Sequence, residues 1–163
     1  MRDPRAPELL APLSHHSSAD VRFGVVSGVT GLETERAIAL LVELSRDEDD
    51  DVRDWATFAL GSMIETDTPE IRDALLARVV DSNDDARGEA LVGLARRKDR
   101  RVIEPLINEL SSESVGLLIL EAAEEASDPR LLPYLLSLKD AWNGDQDRHT
   151  GRLEQALQSC SGA

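Results

Sequence analysis

Aromatic residues and cysteine are both scarce in this sequence of 163 residues. Aromatics make up 3% of the chain, and Cys160 is its one cysteine. Sheet proteins draw heavily on aromatic and β-branched side chains, so this composition, with its abundant leucine and alanine, favours packed helices over a sandwich or barrel. One cysteine cannot form an internal disulfide, which is consistent with a reducing compartment.

Long apolar runs are absent as well. The N-terminal stretch MRDPRAPELLAPLS contains no run of about seven apolar residues, so we expect no signal peptide. No stretch reaches the roughly 18 apolar residues that a membrane span requires. These absences predict a cytoplasmic protein that does not bind membranes. With 41% apolar residues, the chain is long enough for a single domain, 1–163, with a hydrophobic core.

Basic residues are outnumbered by acidic ones, 18 to 32, which gives a formal net charge of −14. The electric field of such a protein repels phosphate backbones and attracts cationic partners. We therefore expect no nucleic acid partner, and we expect a basic protein if the chain has a partner at all.

Signatures of catalysis and metal binding are also missing. His15, His16 and His149 do not stand beside a cysteine or carboxylate at a metal-ligand spacing. There is no Gly-rich phosphate loop, nucleophile elbow or paired catalytic carboxylate motif. The acidic run DEDDD, 47–51, lacks the ligand spacing and central glycine of a calcium loop, so metal binding is the weaker alternative there. We predict no catalytic residue, cofactor or metal, and hence no enzyme.

A repeat dominates what the sequence does contain. Arg22, Arg53 and Arg87 each precede small or apolar residues at offsets of three and six, in the stretches DVRFGVVSGV, DVRDWATFALG and DARGEALVGLA. A fourth copy, SESVGLLILEAAEEA, has Gly116 in place of the arginine. The spacings of 31, 34 and 29 residues are typical of a two-helix solenoid repeat.

The second half of each copy predicts a second helix. Apolar residues recur at helical spacing in ETERAIALLVEL, TPEIRDALLARVV, DRRVIEPLINEL and DPRLLPYLLSL. Asp99 and Asp128 stand where N-caps belong, and Pro69 and Pro129 stand near first helical turns. The run VGLLIL, 115–120, fits a buried strand equally well by pattern alone, but its place in the period favours a helix.

These patterns predict an all-α fold, a right-handed α-solenoid of about four HEAT-like two-helix repeats with helical caps. Stacking buries the faces that one hairpin leaves open. We expect the closing helix to turn Leu153, Ala156 and Leu157 inward. The predicted segments are a half-repeat at 5–16, repeats at 17–46, 47–80, 81–110 and 111–138, and a capping helix at 145–160.

The pattern Asp-x-Val-Arg, followed by small residues and a Leu-Leu second helix, resembles the HEAT-like repeats of phycobilisome-lyase-type proteins over residues 17–138. More narrowly, the stretches DVRDWATFALG and DPRLLPYLLSL resemble small bacterial HEAT-repeat proteins associated with Rhs-type polymorphic toxins, which are described as immunity proteins that silence the toxin. Gly116 and the DEDDD turn depart from the pattern.

The repeated arginines allow two interpretations. Arg22, Arg53 and Arg87 could hold an anionic ligand, or each could hydrogen-bond an aspartate of an adjoining turn. Their regular recurrence favours the structural interpretation, because each copy also carries an aspartate nearby: Asp20, Asp51 and Asp85.

The turns before the first helices contain more carboxylates than helix capping requires. Six of the eight residues 47–54 are acidic, and Asp81, Asp84 and Asp85 occupy the equivalent turn, so stacking predicts an acidic ridge. A carboxylate at a helix N-terminus contributes about 0.3–1 kcal/mol, which explains one or two acids per turn. The surplus either serves a basic partner or is simply solvated.

Trp55 and Phe58 lie three residues apart and share a helix face. The repeat position of Trp55 holds Gly24 in one copy and Glu89 in another, so we expect Trp55 to be partly exposed. It is a candidate interface anchor, since tryptophan is common at hot spots. The alternative is that both rings fill the gap between the two helices of the repeat, and we assign Phe58 to the core.

The predicted function is a non-enzymatic protein-binding module, a monomer when free. Its most specific form is an immunity protein that binds and inhibits a basic toxin domain, such as a nuclease. A general scaffold or adaptor is the alternative, and a bilin-lyase-like protein is a further one that the family resemblance permits. The predicted partner-binding residues are Asp49, Asp50, Asp51, Asp54, Trp55, Arg72, Asp84, Asp85, Glu89, Glu104 and Asn108.

Overall fold

The computed structural model describes residues 3–142 and 149–162, and all regular structure in these ranges is helical. Two compact units divide the chain, Met1–Ala90 and Leu91–Ala163. The predicted all-α fold is confirmed, and the described helices follow the two-helix order of a HEAT-repeat α-solenoid.

The described residues of the first unit form five complete helices and the beginning of a sixth. A 3-10 turn, Ala11–Leu13, follows the first of them. The helices are α1 (Ala6–Leu10), α2 (Ala19–Val29), α3 (Glu35–Leu44), α4 (Asp50–Ser62), α5 (Pro69–Arg78) and α6 (Asp84–Arg96). The second half of α6 belongs to the second unit.

The second unit continues with four further helices within its described residues. Two of them are preceded by 3-10 turns, Arg100–Val102 and Pro129–Leu131. The helices are α7 (Ile103–Leu110), α8 (Leu117–Ala126), α9 (Leu132–Ala141) and α10 (His149–Cys160). Each of the first three predicted repeat ranges contains two helices, and the fourth contains α8 and most of α9, which runs three residues past 138. The exact repeat boundaries and the single domain stay predictions, and the predicted start of the capping helix at 145–148 lies outside the described residues.

Side-chain caps fix the helix starts in both units. Asp49 accepts a hydrogen bond from the Val52 amide at the start of α4, and Thr68 accepts one from the Ile71 amide at the start of α5. Pro69 is the first residue of α5, where its missing N–H costs nothing. The predicted caps are confirmed too, since Asp99 and Asp128 cap the two 3-10 turns.

The fourth repeat begins later than the other three. Arg22, Arg53 and Arg87 are each the fourth residue of their helix, whereas Gly116 comes before α8 and carries no side chain that could cap it. The helical turn that would present an arginine is therefore missing from this copy. Residues 117–120 are helical, as their place in the period predicted.

Small side chains on the first helices allow close packing. Ala56 and Ala59 of α4 are fully buried. A Cβ atom at Gly28 of α2 would collide with the side chain of Leu10, so the absence of a side chain lets α1 approach α2. The small residues of the repeat are thus contact positions within the first unit.

The closing helix packs against α8 and α9 within the second unit. Leu153, Ala156 and Leu157 are buried, as predicted. Cys160 is fully buried and its thiol donates to the Ala123 carbonyl at 3.4 Å. Burial raises the pKa of this thiol, so it packs as a small apolar residue.

Candidate functional site

The first repeated arginine bridges two turns of the first unit. The Nε and Nη2 atoms of Arg22 donate to the two carboxylate oxygens of Asp47 at 2.7 and 2.6 Å. Its Nη1 atom donates to the His16 carbonyl at 2.8 Å. Arg22 therefore ties the turn before α2 to the turn before α4.

Arg53 repeats this geometry one hairpin later. Its Nε and Nη2 atoms donate to Asp81 at 2.9 and 3.0 Å, and its Nη1 atom donates to the Asp47 carbonyl at 2.9 Å. Burial alone would raise the pKa of Asp81, but hydrogen bonds from Arg53 and the Asn83 amide outweigh it and hold that pKa below its usual value. Only 9% of the Arg53 side chain and 4% of the Asp81 side chain are exposed.

Arg87 continues the pattern, because its Nη1 atom donates to the Asp81 carbonyl at 2.7 Å. Asp47 and Asp81 each receive one arginine on the carboxylate and the next on the carbonyl. This confirms the structural interpretation of the arginines, although the side-chain partners of Arg22 and Arg53 are Asp47 and Asp81 rather than the exposed Asp20 and Asp51. The resulting arginine–aspartate ladder consists of Arg22, Asp47, Arg53, Asp81 and Arg87.

Several acids of the predicted ridge are used structurally. Besides the two ladder aspartates, Asp49 caps α4, Asp50 pairs with Arg53, and Asp84 pairs with Arg87 at 2.8 Å. These contacts stabilise helix starts, and the exposed pairs contribute at most about 1 kcal/mol each.

The remaining acids of α4 share its outer face with the two predicted rings. Asp51 lies three residues before Asp54 and four before Trp55, and Phe58 follows these two by four and three residues, so the four side chains form one contiguous group on the helix surface. Two carboxylates and two aromatic rings therefore share a single face.

The rings extend this face toward α2. The centroids of Trp55 and Phe58 are 5.7 Å apart at an interplanar angle of 83°, and those of Phe23 and Trp55 are 5.7 Å apart at 80°. Trp55 is 46% exposed, so its predicted partial exposure is confirmed. Phe58, which we assigned to the core, is only half-buried, because it lies on this outer face rather than between helices.

The carboxylates extend the face toward the first half of α6. Burial, with the charges of Asp85 and Asp51, raises the pKa of Asp54 to about 6. Within the described residues, no group donates a hydrogen bond to the buried Oδ1 atom of Asp54. One turn beyond Asp85, Glu89 accepts a hydrogen bond from Ser62 of α4 at 3.2 Å.

We call this surface the carboxylate–aromatic patch. It brings together five of the eleven predicted partner-binding residues and adds two phenylalanines. Its members are Phe23, Asp51, Asp54, Trp55, Phe58, Asp85 and Glu89.

Phe23 was missed by sequence reasoning, which aligned Trp55 with Gly24 of the preceding repeat. The only signal was composition: Phe23, Trp55 and Phe58 are three of the five aromatic residues in the chain. Scarce aromatic residues that recur on neighbouring first helices could have indicated a shared surface.

The other predicted residues are not part of the patch. Asp49, Asp50 and Asp84 make the contacts described above. Arg72 forms a two-point ion pair with Asp67, at 2.7 and 2.6 Å. Glu104 and Asn108 are exposed on α7 in the second unit.

No other group in residues 3–142 and 149–162 points to chemistry. His15 and His16 are exposed, and the Nε2 atom of His15 lies 3.4 Å from a carboxylate oxygen of Glu43. These residues contain no group of three or more histidine, cysteine or acidic side chains able to hold a metal ion. None of the helices in the same ranges has both the length and the apolar content to span a bilayer.

Comparison with known proteins identifies similarity to HEAT-repeat proteins. Residues 1–61 match the family described as HEAT repeats. The chain is 38% identical over 118 residues to protein YibA of Escherichia coli K12 and of Escherichia coli O157:H7. That alignment covers 72% of this chain but 42% of each relative, so the chain spans less than half the length of these curated relatives.

A solved structure resembles the fold along nearly the whole chain. The X-ray structure of YibA from Escherichia coli superimposes with a TM-score of 0.82 at 31% sequence identity. The match covers 98% of this chain and 55% of that one.

Proposed function

We propose that this array of HEAT repeats is a non-enzymatic protein-binding module, and that its partner is a basic protein. The carboxylate–aromatic patch carries this proposal. It joins an exposed tryptophan, the residue type that most often anchors interfaces, to the carboxylates of Asp51, Asp54 and Asp85, which no arginine or lysine of the described residues pairs.

Charge supports a basic partner. The ladder and the helix caps use some of the acids, but Asp51, Asp54 and Asp85 remain close together, in a chain of net charge −14. Like charges at this spacing oppose one another, and a cationic surface offsets that repulsion. Complementary charge also accelerates association at low salt.

The specific form of the proposal is an immunity protein that silences a toxin. A nuclease toxin carries a cationic surface because it must hold a polyanionic substrate, so an acidic protein can cover that surface and exclude the substrate. The resemblance to HEAT-repeat immunity proteins supports this form, and similarity to YibA supports the HEAT-repeat scaffold on which it rests.

The immunity form of the proposal predicts a basic toxin domain encoded beside the gene for this chain, and the test uses that domain. We expect equimolar protein to abolish the nuclease activity of that domain. We also expect the association rate to fall severalfold as salt rises from about 0.05 to about 0.5 M, because salt screens the attraction. Asp54→Asn in the patch and Asp20→Asn at an exposed position outside it change the net charge equally, so Asp20→Asn is the control for the effect of net charge alone.

Two outcomes contradict the proposal in different ways. If the toxin domain binds and remains active, the chain is a scaffold or adaptor rather than an inhibitor. If association is indifferent to salt, charge complementarity does not drive it.

A further inference from the structure

We infer that the carboxylate–aromatic patch receives an arginine side chain of the partner protein, stacked on Trp55 and hydrogen-bonded to the carboxylates of Asp54 and its neighbours. This inference rests on the proposed function and names the chemical group that the patch recognises.

The aromatic half of the patch offers a stacking surface that is already in place. Phe23 and Phe58 both meet Trp55 in edge-to-face contacts, with centroids 5.7 Å away in each case. These contacts hold the indole ring, while 46% of the residue stays accessible to a partner. A ring fixed in advance loses little conformational entropy on binding, and tryptophan is the best acceptor of a cation–π contact.

The acidic half offers hydrogen-bond acceptors that lack a donor. The Oδ1 atom of Asp54 is buried, and no hydrogen bond within the described residues reaches it. Asp51 lies one turn before Trp55, and Asp85 faces Asp54 from α6. An incoming cation would offset the repulsion among the three carboxylates, and it would satisfy the Oδ1 atom once the half-buried Asp54 side chain turns that oxygen outward.

Arginine fits both halves better than lysine. The guanidinium group is planar and weakly hydrated, so one face can stack on an indole ring while its edge donates to carboxylates in the same plane. An ammonium group is a strongly hydrated point charge and cannot stack in this way. Rings beside oxygens also suit an organic cation better than a metal ion, which prefers oxygen ligands on all sides.

The direct test follows Trp55 with a defined probe. A Trp142→Phe variant leaves Trp55 as the one tryptophan, since the chain has two. Three peptides of equal length are titrated into it, each alternating glycine with arginine, lysine or citrulline. We expect saturable change in Trp55 emission with the arginine peptide, about three- to tenfold weaker binding of the lysine peptide, and no response to the uncharged citrulline peptide.

Patch variants locate the binding. By anisotropy of a labelled arginine peptide, we expect Asp54→Asn and Trp55→Leu each to weaken binding about fivefold or more. Asp20→Asn removes the same charge from an exposed position of α2, and Leu9→Ala removes exposed apolar area from α1; both should bind as the parent does. Asp54→Asn removes a half-buried charge that its neighbours repel, so loss of folding does not explain its effect.

The outcomes separate this inference from the proposed function. Equal binding of the arginine and lysine peptides, or normal peptide binding by Asp54→Asn and Trp55→Leu, overturns the arginine site. Toxin inhibition that survives both patch variants also overturns it, while the protein-binding function stands. Selective arginine binding that the patch variants abolish, without inhibition of any toxin domain, supports the site and rejects the immunity function.

Discussion

At the scale of single residues, the folded state disfavours the ionised form of Asp54. Its pKa of about 6 lies above the value near 3.9 of an unfolded aspartate. Between these two pH values the folded chain binds more protons at this position than the unfolded chain does. The contribution of Asp54 to the free energy of unfolding therefore falls as pH rises from about 4 to about 6.

Asp54→Asn tests this sign. We expect the variant to gain about 1–2 kcal/mol in the free energy of unfolding at pH 7.5, discounted for the remaining solvent contact of the side chain, and almost nothing at pH 4. Urea titrations across this range measure the effect. Asp20→Asn is the matched control, and an equal gain from both variants would mean that net charge alone explains the result.

Asp81 differs from Asp54, because the carboxylate of Asp81 is buried and paired with Arg53. Asp81→Ala would leave the Nε atom of Arg53 without its acceptor inside the protein, and the Nη2 atom with Asp50 alone. We expect a loss of about 3 kcal/mol in the free energy of unfolding, as for other buried pairs broken on one side.

The control for Asp81→Ala is Asp84→Ala, which breaks the exposed pair with Arg87. That change should cost no more than about 0.5 kcal/mol. Similar losses from the two substitutions would show that the buried contact with Arg53 contributes no more to the free energy of unfolding than the exposed pair does.

At the scale of helices, the contact between α1 and α2 depends on Gly28. Alanine is the better helix former by about 1 kcal/mol, but a Cβ at this position collides with the side chain of Leu10. Because the tip of the Leu10 side chain must turn aside, we expect Gly28→Ala to stabilise the protein less when Leu10 is present than in a Leu10→Ala background.

A double-mutant cycle measures that coupling, and we expect about 1 kcal/mol or more between the two positions. Gly24→Ala is the control, because a Cβ there meets nothing within 4 Å. Additive effects of Gly28→Ala and Leu10→Ala would contradict the close approach of the two helices.

Helices and their starts were largely predictable from sequence. Asp99, Asp128 and Pro69 mark starts through local hydrogen bonding and backbone geometry, which depend on few neighbours. The late start of α8 was less visible, because Gly116 removes both the ladder arginine and a capping side chain while the apolar pattern continues.

The site was predictable only in part. Asp54 and Trp55 stood out in the sequence through charge and rarity. Their contacts with Phe23 and Asp85 depend on how α2, α4 and α6 lie side by side. Aligning the repeats identifies equivalent positions, but it does not show which non-equivalent positions of neighbouring repeats come into contact.

At the scale of the whole molecule, the net charge of −14 opposes the folded state. Added salt screens this repulsion, so we expect the Tm of the free protein to rise by a few degrees between about 0.05 and about 0.5 M sodium chloride. Differential scanning calorimetry measures the shift. A falling Tm would mean that the ion pairs of the ladder and surface outweigh the repulsion.

The ladder also makes neighbouring turns interdependent. Asp47 is gripped at its carboxylate by one arginine and at its carbonyl by the next. Loosening that turn removes acceptors from two guanidinium groups at once. We therefore expect α2 and α4 to open together rather than one after the other, and their slowest amides to share one opening energy in hydrogen exchange.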